Sequence, residues 1–278
     1  DPGFSIVHAS GGAVPATRLP LVATIHDLGW RHEPGHATRR GRRLFEAWLA
    51  DARRADHVTC PSEATRSDLL AAGFEPDRVS VIPLGADPVA VDPGAAAALR
   101  SHYGIDGPFV LWVGTTEPRK NLVRLVSAME QIPDVPLVLV GPAGWKEDAA
   151  SVTEPLGERA HIVGRVDEAT KHAWYAAADV FAMPSLLEGF GLPVLEAMGH
   201  ATPVVTSAGT ATAEVVGDTG TTVDPTDTDA IAGAISGLLA DPDEASRMGE
   251  ACRQRAATMT WAVAATATAD VYHRVLAS

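Results

Sequence analysis

Residues 180–197 read Val-Phe-Ala-Met-Pro-Ser-Leu-Leu-Glu-Gly-Phe-Gly-Leu-Pro-Val-Leu-Glu-Ala. Val180–Met183 is a short unbroken apolar run, the pattern of a strand covered on both faces. The next residues break regular structure, and Gly189 and Gly191 permit tight turns that leave backbone N–H groups bare for an oxygen-rich ligand. Pro193 suits the first turn of a helix, so a helix is expected over Leu192–Gly199. Glu188 stands just before it and Glu196 eight residues later; at about 100° per residue they come within about 80° of one direction. Two carboxylates next to an anionic group repel it, unless they accept hydrogen bonds from hydroxyls. Sugars supply such hydroxyls. One helix-capping Glu and one surface Glu are the plain alternative; a Glu pair at this spacing is common by chance, whereas the EGFGLPVLEA context is not.

The same strand–turn–helix order recurs upstream. Phe109–Val113 is a candidate strand, followed by Gly114-Thr115-Thr116-Glu117-Pro118-Arg119-Lys120-Asn121 and a helix over 122–131. Arg119 and Lys120 set two cations beside a helix N-terminus, which itself attracts anions. This arrangement suits a diphosphate, and a solvated charged loop is the plain alternative. Only three lysines occur, Lys120, Lys146 and Lys171, so Lys120 stands out against an arginine-dominated basic set.

Further candidate strands are 5–8, 21–25, 57–60, 79–82, 137–140, 161–163 and 204–206. They alternate with helical patterns at 40–55, 62–72, 168–178, 228–240, 243–257 and 262–276. Alternation of this kind predicts an α/β protein with doubly wound parallel sheets. Leu84–Ala98, rich in Pro, Gly and Ala, reads as the seam between two domains, 1–87 and 88–278. The first is short for a doubly wound domain and opens on a strand without a preceding βα turn, so it is expected to be incomplete.

Composition narrows the function. The 278 residues carry 22 basic and 35 acidic side chains, a net charge of −13, and this disfavours nucleic-acid binding. Residues 1–88 hold 10 basic and 11 acidic groups, so most of the excess falls in the later part. Against that trend, residues 31–54 carry seven arginines and three acids, either a solvated helix face or a contact for an anionic surface. No apolar run approaches the roughly 18 residues of a membrane span. Cys60 and Cys252 sit in no metal-binding spacing and suit a reducing cytoplasm. His32 and His36 flank Pro34-Gly35, which argues against a helical metal pair. Trp30, Trp112, Trp145 and Trp174 read as core or loop aromatics. A Rossmann oxidoreductase is disfavoured, since no GxGxxG follows an early strand.

EGFGLPVLEA resembles the E-x7-E signature of retaining glycosyltransferases of the GT-B fold, specifically glycosyltransferase family 4. VGTTEPRKNL is similar to that family's diphosphate loop, and HIVGRVDEATKHAWYAAADVFAMPS to its base-binding segment and following strand. VATIHDLGW, ADHVTCPSEATRSDLL and RVSVIPLGAD resemble segments of its first domain. TWAVAATATADVYHRVL resembles the terminal helix, about 262–278, that returns to that domain. The resemblance covers nearly the whole chain and implies two Rossmann-like domains facing a cleft.

It also implies roles. Glu196 would bond the nucleotide ribose, and Glu188 would lie near the transferred sugar. Gly189, Phe190, Gly191 and Leu192 would bring backbone amides to the donor. Gly114 and Lys120 would meet the diphosphate, with Arg119 as a second cation where many members carry Arg at the position of Thr115. Arg165 and Val166 would hold the base, and His26 would contact the donor sugar. A His–Asp pair with Asp27 is the plain reading of His26. The implied reaction is metal-independent transfer from a nucleotide diphosphate sugar, possible donors including GDP-mannose, to a glycan or lipid-linked acceptor. It needs no cofactor. The cysteine usage places the protein in the cytoplasm, and the arginine-rich stretch 31–54, rather than the resemblance, allows peripheral contact with an anionic membrane. The competing expectation is a non-catalytic GT-B remnant that binds a nucleotide sugar or a protein partner.

Overall fold

The computed structural model describes residues 3–32, 38–144 and 147–277. The chain forms two compact units. Unit 1 comprises 1–85, 188–190 and 259–278, and unit 2 comprises 86–187 and 191–258.

Unit 1 begins with β1 (Val7–Ala9), β2 (Leu21–Thr24), α1 (Gly29–His32) and α2 (Arg39–Ala52), then β3 (His57–Cys60), α3 (Glu63–Ala71) and β4 (Val79–Val81). The four strands are parallel and lie in chain order. Side chains alternate across a strand. Leu21 and Ala23 therefore enter one core with Leu28, Leu49, Val58 and Leu69, while Val22 enters another. Ser62 starts α3 by accepting from the Thr65 N–H at 3.1 Å.

Unit 2 opens with α4 (Pro93–His102), β5 (Val110–Val113), α5 (Leu122–Glu130), β6 (Leu137–Val140), α6 (Ala149–Thr153) and β7 (Ala160–Gly164). It continues with α7 (Glu168–Ala177), β8 (Val180–Met183), α8 (Leu192–Gly199), β9 (Val204–Ser207), α9 (Ala211–Val216), β10 (Thr221–Val223), α10 (Thr228–Ala240) and α11 (Pro242–Ala256). Its six parallel strands run in the order β10-β9-β8-β5-β6-β7. β5, β6, β8 and β9 are buried along their whole length, as the unbroken apolar runs of the first three predict; β9 ends on the buried polar pair Thr206-Ser207. Strand order reverses between β5 and β8. A crevice outside the carboxyl ends of two such strands is where open α/β sheets take ligands.

The chain then re-enters unit 1 as α12 (Trp261–Ala277). Ala264, Val271 and Val275 pack with Val22 and Ile82, so this helix covers the second face of the first sheet. The Tyr272 hydroxyl and His8 Nδ1 share a 2.6 Å hydrogen bond, and His8 Nε2 meets Thr24 Oγ1 at 2.7 Å.

Several expectations change. The seam read over 84–98 is not all linker, because α4 starts inside it. Asp92 accepts from the Gly94 N–H at 2.9 Å, Pro93 takes the first turn and an alanine run continues the helix. α1, α6 and α9 carried too few residues to register as patterns, and β10 was also missed. Trp112 and Trp174 are core residues, and Trp30 is half-buried. Trp145, Lys146 and His36 lie outside the described residues. Cys60 and Cys252 are buried thiols. No helix among the described residues is long and apolar enough to cross a membrane.

Candidate functional site

The loop after β5 is built to hold one lysine. Pro118–Lys120 form a 3-10 turn, and Asn121 follows with φ of 59°, a left-handed conformation that Asn tolerates. This reversal folds Lys120 inward, and it retains only 6% of its exposure. Gly114 lies against it, since a Cβ there would stand 3.8 Å from Lys120 Cε. Gly141, with φ of 141°, packs so closely that a Cβ would collide with the Gly114 carbonyl. Arg119 is engaged rather than open, as its Nε donates to Glu117 Oε2 at 2.9 Å and its Nη1 to the Leu187 carbonyl at 3.3 Å.

The loops after β5 and β8 are stitched together. The Leu186 N–H donates to the Arg119 carbonyl at 2.8 Å. Buried Asn121 donates to the carbonyls of Pro184 at 2.8 Å and Pro225 at 2.7 Å. Ser207 Oγ donates to the Ser185 carbonyl at 2.5 Å. Both loops thus sit at the strand-order reversal of unit 2 and are joined by these hydrogen bonds, with Gly114 against Lys120. Arg165 and Val166 lie on the loop between β7 and α7, and Arg165 is exposed.

Glu196 projects from α8 toward α7. Lys171 Nζ donates to its Oε1 at 3.0 Å and the Tyr175 hydroxyl to its Oε2 at 2.8 Å. Lys171 also pairs with Glu168 at 2.8 Å. Burial lowers the Lys171 ammonium, but its bonds to Glu168 and Glu196 outweigh that and hold it above the ordinary lysine value. Burial, reinforced by Glu196, pushes the Tyr175 phenol well up, so it stays a donor. Next to them one of His172 Nδ1 and His200 Nε2 donates to the other over 2.8 Å. His172, His200, Arg253 and Glu196 line a cavity of about 90 Å³.

A group with metal-ligand chemistry also stands here. Glu168, His172 and Glu196 offer ligand atoms within 4.8 Å of one another. Lys171 already supplies a positive charge to both glutamates. Lys171 and Tyr175 were not singled out from sequence. Their i, i+4 spacing on α7 and the scarcity of lysine were the available signals, and their partner comes from another helix.

In unit 1, His26 is exposed after β2 and its Nε2 meets the Ser10 carbonyl at 3.1 Å. Asp27 Oδ1 accepts from the Gly29 N–H at 2.9 Å, capping α1. Glu188, Gly189 and Phe190 group with this unit, whereas Gly191, Leu192 and Glu196 group with unit 2. The Gly189 carbonyl accepts from Ser62 Oγ at 2.8 Å, and a Cβ on Gly189 would strike the His26 carbonyl. On α2, Arg39, Arg40 and Arg43 are exposed. Arg31 pairs with Glu46, Arg53 donates to the Ala72 and Gly73 carbonyls, and Arg54 pairs with Asp51. Glu33, inside the arginine-rich stretch, lies outside the described residues.

Comparison with known proteins defines the class. A solved sucrose-phosphate synthase from Thermosynechococcus elongatus matches with a TM-score of 0.84 and 28% identity, over 99% of this chain and 74% of that one. Two parallel sheets with such neighbours make this an α/β protein of the GT-B kind. Residues 107–241 match the family model described as glycosyl transferases group 1, and residues 2–90 the model described as glycosyltransferase family 4. The chain belongs to glycosyltransferase family 4. A GDP-mannose-dependent alpha-(1-6)-phosphatidylinositol monomannoside mannosyltransferase of Mycolicibacterium smegmatis is 36% identical over 86% of this chain. The chain spans 65% of that relative's length. Alpha-maltose-1-phosphate synthase of the same organism is 35% identical over 93% of this chain and 74% of its own length.

Proposed function

We propose that this protein moves a sugar from a nucleotide diphosphate sugar to an acceptor hydroxyl, with retention at the anomeric carbon. The observation that carries this reading is the burial of Lys120 at the strand-order reversal of unit 2, beside a helix start. In the reaction the bond from the anomeric carbon to the diphosphate oxygen breaks. The acceptor oxygen replaces it on the same face, and its proton passes to the departing phosphate. Negative charge grows on the leaving group as the bond breaks. A fixed ammonium aimed there stabilises the transition state more than the ground state.

The remaining roles follow the family resemblance. Glu196 accepts from the ribose hydroxyls, Gly189, Phe190, Gly191 and Leu192 offer backbone amides, and Arg165 and Val166 border the base. His26 and Glu188 serve the transferred sugar, and Gly114 lets the diphosphate approach the backbone. Arg119 supports the loop through Glu117 and adds a second positive charge. With the phosphate charge met by these groups, the reaction needs no metal or cofactor. The mannosyltransferase relative favours a mannose donor with a guanine base, and a glycan or lipid-linked acceptor.

Exposed Arg39 and Arg40 occupy the first turn of α2, where the helix dipole is already positive and cations are unfavourable. Such placement suits contact with an anionic membrane holding the acceptor.

The test is release of nucleoside diphosphate from GDP-mannose, UDP-glucose and ADP-glucose, with and without EDTA, and the anomeric configuration of the product by proton NMR. Release that EDTA does not reduce, with retained configuration, supports the proposal. No release and no binding of any donor refutes it.

A further inference from the structure

Glu196 is held at both oxygens by donors from a neighbouring helix. We infer that Lys171 and Tyr175 are positioning residues that set the Glu196 carboxylate for bidentate capture of a ribose diol; this rests on the proposed donor reading. A carboxylate has about four lone-pair sites. Lys171 Nζ occupies one on Oε1 and the Tyr175 hydroxyl one on Oε2. One site remains on each oxygen, and two adjacent acceptors match two adjacent hydroxyls.

The helical geometry makes this arrangement stiff. Lys171 and Tyr175 are four residues apart on α7, so both side chains meet the same face of α8. Tyr175 is fully buried, and its ring packs against Phe181 with centroids 5.7 Å apart. Its backbone is fixed by Thr202 Oγ1, which donates to the Tyr175 carbonyl at 2.7 Å. The Glu196 side chain itself keeps 17% of its exposure, leaving an edge accessible while its direction is fixed.

Charge supports the same role. An unpaired carboxylate near a diphosphate repels it, and the penalty grows as water is excluded. Lys171 offsets the Glu196 charge without using up its acceptor capacity. An amide at position 196 would present an N–H₂ on one side and lose half of the bidentate match. A glutamate clamped by a cation and a phenol therefore reads the sugar of the nucleotide, not its phosphates.

The experiment measures dissociation constants of the full chain for GDP, UDP and ADP and for their 2′-deoxy and 3′-deoxy forms. Wild type, Tyr175→Phe, Lys171→Met and Glu196→Gln are compared. The expected result is that wild type binds at least one ribonucleotide at least about tenfold more tightly than its deoxy forms. In Tyr175→Phe and Lys171→Met that ratio falls to about two or three, as in Glu196→Gln, because each loses discrimination rather than phosphate affinity. Two variants on different atoms keep the test decisive if one of them folds poorly. A residue with a merely structural role would change all affinities together and leave the ratio intact. Wild-type discrimination that survives both substitutions overturns the positioning role and leaves the donor reading standing. Absence of nucleotide binding by wild type overturns both.

Discussion

The Asn121 side-chain amide donates to the Pro184 carbonyl across 2.8 Å and so ties the loop after β5 to the loop after β8. The same nitrogen reaches the Pro225 carbonyl at 2.7 Å, and Asn121 Oδ1 accepts from Arg124 Nη1 at 2.9 Å. Asn121→Ala leaves two carbonyls short of a donor and puts alanine at a left-handed backbone position. We expect a loss of about 2–4 kcal/mol in unfolding free energy, read from urea denaturation by circular dichroism. A midpoint equal to wild type would show that the tie contributes nothing.

Lys120 gives the sharpest catalytic test. For Lys120→Ala, kcat should fall about 10²–10³-fold, because the ammonium meets charge that grows only as the leaving group departs. An unchanged kcat with a raised KM assigns Lys120 to ground-state binding instead.

Gly141 carries a φ of 141° and stands where a Cβ would collide with the Gly114 carbonyl. Gly141→Ala must shift the strand end away from the lysine loop. The expected outcome is a stability loss of about 2 kcal/mol with weakened nucleotide affinity. Thermal melting with and without GDP reports both effects. If nucleotide still raised the melting temperature as much as in wild type, the loop would be indifferent to its neighbour.

His200 is held down to about 4, first by burial and then by His172, whose own value burial also lowers. The folded value lies below the unfolded one of about 6.5, so the unfolded chain binds more protons between them. Stability is complete above about pH 6.5 and declines as pH falls through about 4. The stacked Tyr175 ring, Arg253 and Glu196 share the surroundings. His200→Asn should lose about 3–5 °C less than wild type in melting temperature between pH 7 and pH 4.5. Parallel declines for the two proteins would assign the acid sensitivity to other groups.

The arginines of α2 give a prediction about surfaces. Replacing Arg39, Arg40 and Arg43 with serine should abolish co-sedimentation with vesicles rich in phosphatidylglycerol. Binding of wild type to neutral phosphatidylcholine vesicles to the same extent would dismiss an electrostatic contact.

Parallel strands wrote themselves plainly into the chain. Leu137–Val140 and Val180–Met183 are buried on both faces, so hydrophobicity alone marks them. β10 escaped because Thr221 and Thr222 lie at the sheet edge, where polar side chains are tolerated. α4 hid in a Pro-Gly-Ala stretch that composition assigns to a linker, although the Asp92-Pro93 start was a readable helix signal. Within the candidate site, residues that follow strands announced themselves through glycine, cations and spacing. Lys171 and Tyr175 did not, because their significance lies in a contact with Glu196, and a residue's partner across two helices leaves no local mark.

The placement of α12 orders the protein's manufacture. Val22 and Ile82 wait for Ala264, Val271 and Val275, which leave the ribosome only after all of unit 2 has been made. A nascent chain therefore carries one naked sheet surface for as long as unit 2 is being made. Chaperones that shield greasy strands during translation would find their substrate in the early unit.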